Sequence, residues 1–198
     1  MRHGGDPRWA LHPETWLALR GELDLLPQDA RFLELGAGLG SLLAAARGLH
    51  VTAVDDRAED LERLREAAGS LEIETVHAPL GRTEEGPAYD FGTIPERSYE
   101  AIFVDGPSIG REGILSHAGL RLLESATVIV FDDARRAEEA AVAAEAAKRL
   151  GRSLRLIGPT AVIRAASPDA DAAVPISEAT RSTLSVPAPR LPPPTLPG

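Results

Sequence analysis

Cysteine is absent from the 198 residues, which excludes a disulfide framework and any thiolate metal site. Lysine is nearly absent: Lys148 stands alone among 21 lysines and arginines, a bias that a GC-rich coding sequence would produce. Positive charge is scarce overall. The formal net charge of −9 argues against a nucleic-acid backbone as the main partner, because phosphate binding needs a basic face. No apolar run reaches membrane-spanning length, and the amino terminus lacks the apolar core of a signal peptide. The expectation is a cytoplasmic protein without a membrane partner. Its apolar and charged fractions, 43% and 26%, are ordinary for a globular chain, and its length suggests one domain with a tail.

The most informative stretch is Phe32-Leu-Glu-Leu-Gly-Ala-Gly-Leu-Gly-Ser41. A short apolar strand, Arg31 to Leu35, runs into glycines at 36, 38 and 40 and then into helix-forming residues from Leu42 to Arg47. Gly36, Gly38 and Gly40 allow a sharp turn and close approach to a ligand, and the N–H groups at the helix start are expected to face it. A second apolar strand, His50 to Val54, ends on Asp55, which can accept hydrogen bonds from ribose hydroxyls. These features describe a nucleoside-cofactor site. A dinucleotide fingerprint needs G-x-G-x-x-G; here Ser41 stands where the third glycine belongs, and Glu34 lies inside the strand. The E-L-G-x-G-x-G pattern resembles the first motif of the Rossmann-like S-adenosylmethionine (SAM) methyltransferases. That resemblance implies SAM as cofactor, held by Glu34, Gly36, Gly38, Gly40 and Asp55.

Three parts follow from composition and periodicity. Residues 1–30 read as a helical segment with Pro13 in a first turn. Residues 31–166 alternate strands and helices. Strands are expected at Arg31–Leu35, His50–Val54, Leu71–Val76, Tyr99–Val104, Thr127–Phe131, Leu154–Ile157 and Ala161–Arg164. Helices are expected at Leu42–Arg47, Ala58–Ala68, Arg111–Leu123 and Ala134–Leu150. This alternation predicts an α/β fold, a doubly wound and mostly parallel seven-stranded sheet. The last two strands are joined only by Gly158-Pro-Thr160, too short for a crossover, so they form a C-terminal antiparallel hairpin. From 167 to 198, where half of the sixteen prolines fall, a disordered tail is expected.

A second constellation sits at two strand ends. Ile102-Phe-Val-Asp105-Gly-Pro107 and Val128-Ile-Val-Phe-Asp132-Asp133 place three acids on the sheet edge where ligands bind. Three converging carboxylates repel one another unless a cation or an arginine offsets them, and Mg²⁺ suits hard oxygen ligands. The arrangement resembles the metal-dependent O-methyltransferases, including the catechol type, which implies Asp105, Asp132 and Asp133 as metal ligands. It departs from the catechol type in having no lysine after the first acid. A closer likeness is to bacterial methyltransferases with Asp-Gly-Pro, then an arginine, then Asp-Asp-Ala-x-Arg; it covers roughly residues 11 to 151 and fits Asp105-Gly-Pro107, Arg111 and Asp132-Asp-Ala-Arg-Arg136.

Taken singly, Asp133 before Ala134 also reads as a helix N-cap. Candidates for the chemistry are Asp105 as proton acceptor, His117 as a neutral base and Arg111 as a donor to a substrate carboxylate. Tyr89, in a long loop from Gly81 to Arg97, is a candidate cover for the adenine. The reading is a SAM-dependent methyltransferase acting on oxygen of a small molecule. The competing readings are a SAM-fold binding or scaffold protein without catalysis and an NAD-dependent oxidoreductase.

Overall fold

A computed structural model describes residues 11–165. The expected proline-rich tail lies outside the described residues. The strands are β1 (Arg31–Leu35), β2 (His50–Asp55), β3 (Ile73–His77), β4 (Leu80–Arg82), β5 (Pro87–Tyr89), β6 (Ala101–Val104), β7 (Val128–Phe131), β8 (Arg152–Ile157) and β9 (Thr160–Ala165). The helices are α1 (Pro13–Leu23), α2 (Leu39–Ala45), α3 (Ala58–Ala68), α4 (His117–Glu124) and α5 (Ala137–Arg149). Seven strands form one sheet in the order β3-β2-β1-β6-β7-β9-β8. The first five of these run parallel, and β9 pairs antiparallel with both β7 and β8.

The strands alternate their side chains between two apolar layers. Leu33, Leu35, Ile102, Val104, Ile129 and Phe131 pack with Leu123 of α4 and Ala143 and Ala146 of α5. On the opposite face Phe32, Phe103, Val128 and Val130 meet Leu19 and Leu23 of α1 and Ala44 of α2. Helix α3 adds Leu61 and Leu64 against Ala53. Each buried leucine or phenylalanine contributes about 1.5–3 kcal/mol of transfer free energy. The central strands are covered on both sides, which is why they read as continuous apolar runs.

Register brings the strand ends level: Leu35 lies opposite Val54 and Val104, and Val104 opposite Phe131. The chain moves outward one way from β1 through β2 and β3, and the other way from β6 through β7. The crevice between the ends of β1 and β6 is therefore the topological switch point.

Three details differ from the sequence reading. The segment expected as one helix over Arg111–Leu123 is a 3₁₀ turn, Arg111–Leu115, followed by α4. Ser116 divides them by capping α4, its hydroxyl accepting from Gly119 N–H at 3.3 Å. The helix expected from Ala134 begins at Ala137, because Asp133 adopts φ 60 and the chain turns through Arg136 first. Asp133 is thus not the N-cap. The long loop contains a two-stranded hairpin, β4 with β5, which presents Tyr89. Among the described residues no helix is long and apolar enough to cross a membrane.

Candidate functional site

The glycine turn does two separate jobs. Gly36 has φ 97, and a Cβ there would lie 2.6 Å from Gly106 N and 2.9 Å from the Asp105 carbonyl carbon. The loops after β1 and β6 therefore meet backbone to backbone, with Leu35 O accepting from Asp105 N–H at 2.8 Å and Gly106 N–H at 2.7 Å. Gly36 and Gly38 line the crevice. Gly40 faces the other way: a Cβ there would overlap the Glu34 carboxylate and come within 3.2 Å of Phe103.

Glu34 lies buried beneath the turn. Its Oε2 accepts from Ser41 N–H at 2.6 Å, from Gly38 N–H at 3.3 Å and from the Ser41 hydroxyl. Gly38 offers no side-chain cap to α2, so Glu34 supplies it from within β1. Burial pushes the Glu34 carboxyl up to about 7, although the Ser41 and Gly38 bonds oppose the rise. Of the helix-start amides expected to face a ligand, those of Gly38 and Ser41 are thus engaged by the protein's own carboxylate. Glu34 and Gly40 shape the turn from behind, outside the crevice lining.

Asp55 ties the turn to the end of β2. Its Oδ2 accepts from Ala37 N–H at 3.0 Å and its Oδ1 from Arg57 N–H at 2.9 Å. Each oxygen keeps a second lone pair for a ligand hydroxyl. Burial, with Asp56 nearby, lifts this carboxyl to about 6 against the pull of the Arg57 amide. Tyr89 is only 3% exposed, and its Oη stands beside Gly106 at the crevice wall. That hydroxyl makes no hydrogen bond among the described residues. Burial and the neighbouring Asp55 and Asp56 push the phenol well above its ordinary value, so it remains a donor.

The second constellation also assembles. One carboxylate oxygen from each of Asp105, Asp132 and Asp133 lies within 4.8 Å of the others. Arg111, only 4% exposed, is neither solvated nor free for a substrate. Its Nη1 donates to Asp132 O at 3.0 Å; its Nη2 donates to Asp105 O at 2.7 Å, Asp133 Oδ2 at 3.2 Å and Asp105 Oδ1 at 3.4 Å. Its Nε faces Glu139 Oε2 at 3.5 Å. Arg136 also binds Asp133 Oδ2, and Thr15 of α1 donates to Asp132 Oδ1 at 2.7 Å. Burial and then Asp132 push the Asp105 carboxyl well up, with Arg111 offsetting part of the rise. Arg136 belongs to the motif read from the sequence; Thr15 and Glu139 escaped that reading, since only the tertiary fold brings them to the acids and to Arg111. His117 lies elsewhere: it is exposed at the start of α4 and lines a separate groove with Leu80, Phe91 and Leu115.

The crevice has a volume of about 360 Å³ and takes its lining from both constellations. Its acids are Asp55, Asp56, Asp60, Asp105, Asp132 and Asp133; against them stand Arg57, Arg111 and Arg136. The lining is formally three charges negative.

No family model matches the chain, and no curated protein matches it. Solved structures do. A TehB-like SAM-dependent methyltransferase from Corynebacterium glutamicum superposes with a TM-score of 0.51 at 17% identity, over 79% of this chain and 89% of that one. The chain has the fold of the SAM-dependent methyltransferases. The C-terminal domain of precorrin-6Y C5,15-methyltransferase from Rhodobacter capsulatus matches with a TM-score of 0.50 at 18% identity, over 76% of this chain and 86% of that one. The Pyrococcus abyssi tRNA (uracil-54, C5)-methyltransferase, solved with S-adenosyl-L-homocysteine, gives 0.50 at 16% identity, over 75% of this chain and 37% of that one. Methyltransferases named for acceptors as different as a precorrin and a tRNA uracil share this fold, so the fold selects no acceptor.

Proposed function

We propose that the chain transfers a methyl group from SAM to an oxygen atom of a small molecule. The observation that carries this reading is the position of Glu34. In a dinucleotide site the pyrophosphate sits on the first N–H groups of the helix after β1. Here the Glu34 carboxylate already holds the N–H groups of Gly38 and Ser41, and an anion brought to the same place would meet it. The acidic crevice opposes a pyrophosphate further and favours a sulfonium. A nicotinamide dinucleotide would therefore lack two of the donors its pyrophosphate uses, while an adenosyl sulfonium needs neither.

Bound SAM supplies an electrophilic methyl group. The chain's own residues do the rest. Gly36 and Gly38 bring bare backbone to the ligand, and Asp55 accepts the ribose hydroxyls. Tyr89 Oη, without a partner among the described residues, closes the wall over the adenosyl part. Asp105 receives the acceptor's hydroxyl proton, its half-buried carboxyl being a stronger base than a fully exposed one. Holding the nucleophile in line with the methyl group supplies most of the acceleration.

Turnover of SAM to S-adenosylhomocysteine across a panel of hydroxylated acceptors tests the reading. Asp105→Asn is expected to lower turnover at least about 100-fold with SAM at saturating concentration. Turnover unaffected by that substitution would remove Asp105 from the reaction. SAM binding with no turnover on any acceptor would favour a binding protein on the same fold.

A further inference from the structure

The pattern of acids resembles a divalent-metal site, yet every one of its carboxylates already has a donor. Arg111 reaches Asp105 Oδ1 and Asp133 Oδ2, Arg136 reaches Asp133 Oδ2, and the Thr15 hydroxyl reaches Asp132 Oδ1. Arg111 is not a surface cation that a metal could displace. It is buried, it also holds the backbone carbonyls of Asp105 and Asp132, and its Nε faces Glu139. A guanidinium does not yield by losing its proton, as a histidine or lysine would.

We propose that Arg111 is the site's built-in counter-cation, so that Asp105, Asp132 and Asp133 serve a cationic ligand without holding a divalent metal. Counted formally with Glu139, which pairs with both arginines, the carboxylates against Arg111 and Arg136 leave two negative charges, which favour a sulfonium. The guanidinium also fixes the geometry: by joining the carbonyls that end β6 and β7 it keeps the two acid-bearing loops at one spacing. Arg111 is in this sense a positioning residue. The inference rests on the proposed function only for the identity of the cation, and its test is read without SAM, so the two can fail separately.

The test is a Mn²⁺ titration of the chelator-treated full chain, with free Mn²⁺ followed by electron paramagnetic resonance. The wild-type protein is expected to show no saturable site tighter than about 1 mM, the weak end of the range for carboxylate sites. Arg111→Met releases Asp105 Oδ1 and removes one of the two donors on Asp133 Oδ2, and is expected to create a site at least about tenfold tighter, since it also removes a nearby positive charge. Adding Asp132→Asn to that variant should abolish the new site. Arg136 is about half exposed, so Arg136→Met spares the core and should give a smaller gain in the same direction even if Arg111→Met does not fold. Saturable Mn²⁺ binding to the wild-type chain that Asp132→Asn removes would overturn the proposal. So would folded variants that gain no site.

Discussion

Gly36 and Gly106 set the width of the crevice, because no side chain fits between the loops that carry them. A Cβ on Gly106 would overlap Tyr89 Oη and also lie 2.8 Å from Gly36 Cα. Gly36→Ala adds an unfavourable positive φ to its overlap with backbone, for a cost of about 3 kcal/mol. Gly106→Ala should lose SAM affinity, and Tyr89→Phe should fail to restore it, since the clash with Gly36 remains after the hydroxyl is removed. Calorimetry on the single and double variants checks this. Recovery in the double variant would show that Tyr89 alone sets the limit. Asp55 acts at the same scale. Its carboxyl titrates near 6, and ligand hydroxyls bond the ionised form more strongly, so SAM affinity should fall as pH drops below about 6.

At the scale of elements, α1 and α4 make contrasting predictions. Thr15 links α1 to Asp132 through a buried hydrogen bond of 2.7 Å. Thr15→Val should cost about 2 kcal/mol of stability, as expected for a bond to a charged group, and should also weaken SAM binding. Ser116→Ala removes the α4 cap and should cost about 1 kcal/mol, leaving SAM affinity unchanged because α4 stands away from the crevice. Denaturant melts paired with calorimetry separate the two effects. The central strands were legible because a strand buried on both faces must be apolar throughout. Helix α3 was legible for a related reason, with Leu61 and Leu64 set at helical spacing. The β4–β5 hairpin was not, since Leu80-Gly-Arg82 is short, exposed and without alternation. The split between the 3₁₀ turn and α4 was hidden too, because Ser116 in a helical stretch acts as a cap only once packing decides it. In the site, the acids could be read from the strand ends, but Arg111 turning inward depends on contacts with residues up to 28 positions away along the chain.

For the whole molecule, the buried acids set how stability varies with pH. Burial holds the Glu34 carboxyl at about 7 in the folded protein, above its ordinary value of 4.5. Between those values the native state binds more protons than the unfolded chain, so stability falls as pH rises through the window. The penalty is complete above about 7 and relieved toward 4.5, a swing of about 3 kcal/mol at 1.36 kcal/mol per unit. Asp55 acts in the same direction, from 3.8 to about 6. Glu34→Gln keeps an acceptor for Ser41 and Gly38 and carries no charge. Its melting temperature should exceed the wild-type value at pH 8 and converge with it near pH 5. A constant difference across that range would show that Glu34 stays ionised throughout.

One crevice, lined by two glycine-bearing loops and by acids that oppose a pyrophosphate, underlies each of these expectations. Isothermal titration of the full chain with SAM, S-adenosylhomocysteine and NAD⁺ tests it most directly. The account predicts saturable binding of the first two at about one per chain, weakened at least about tenfold by Asp55→Asn, and no heat from NAD⁺. Binding of NAD⁺ with SAM left unbound would contradict it.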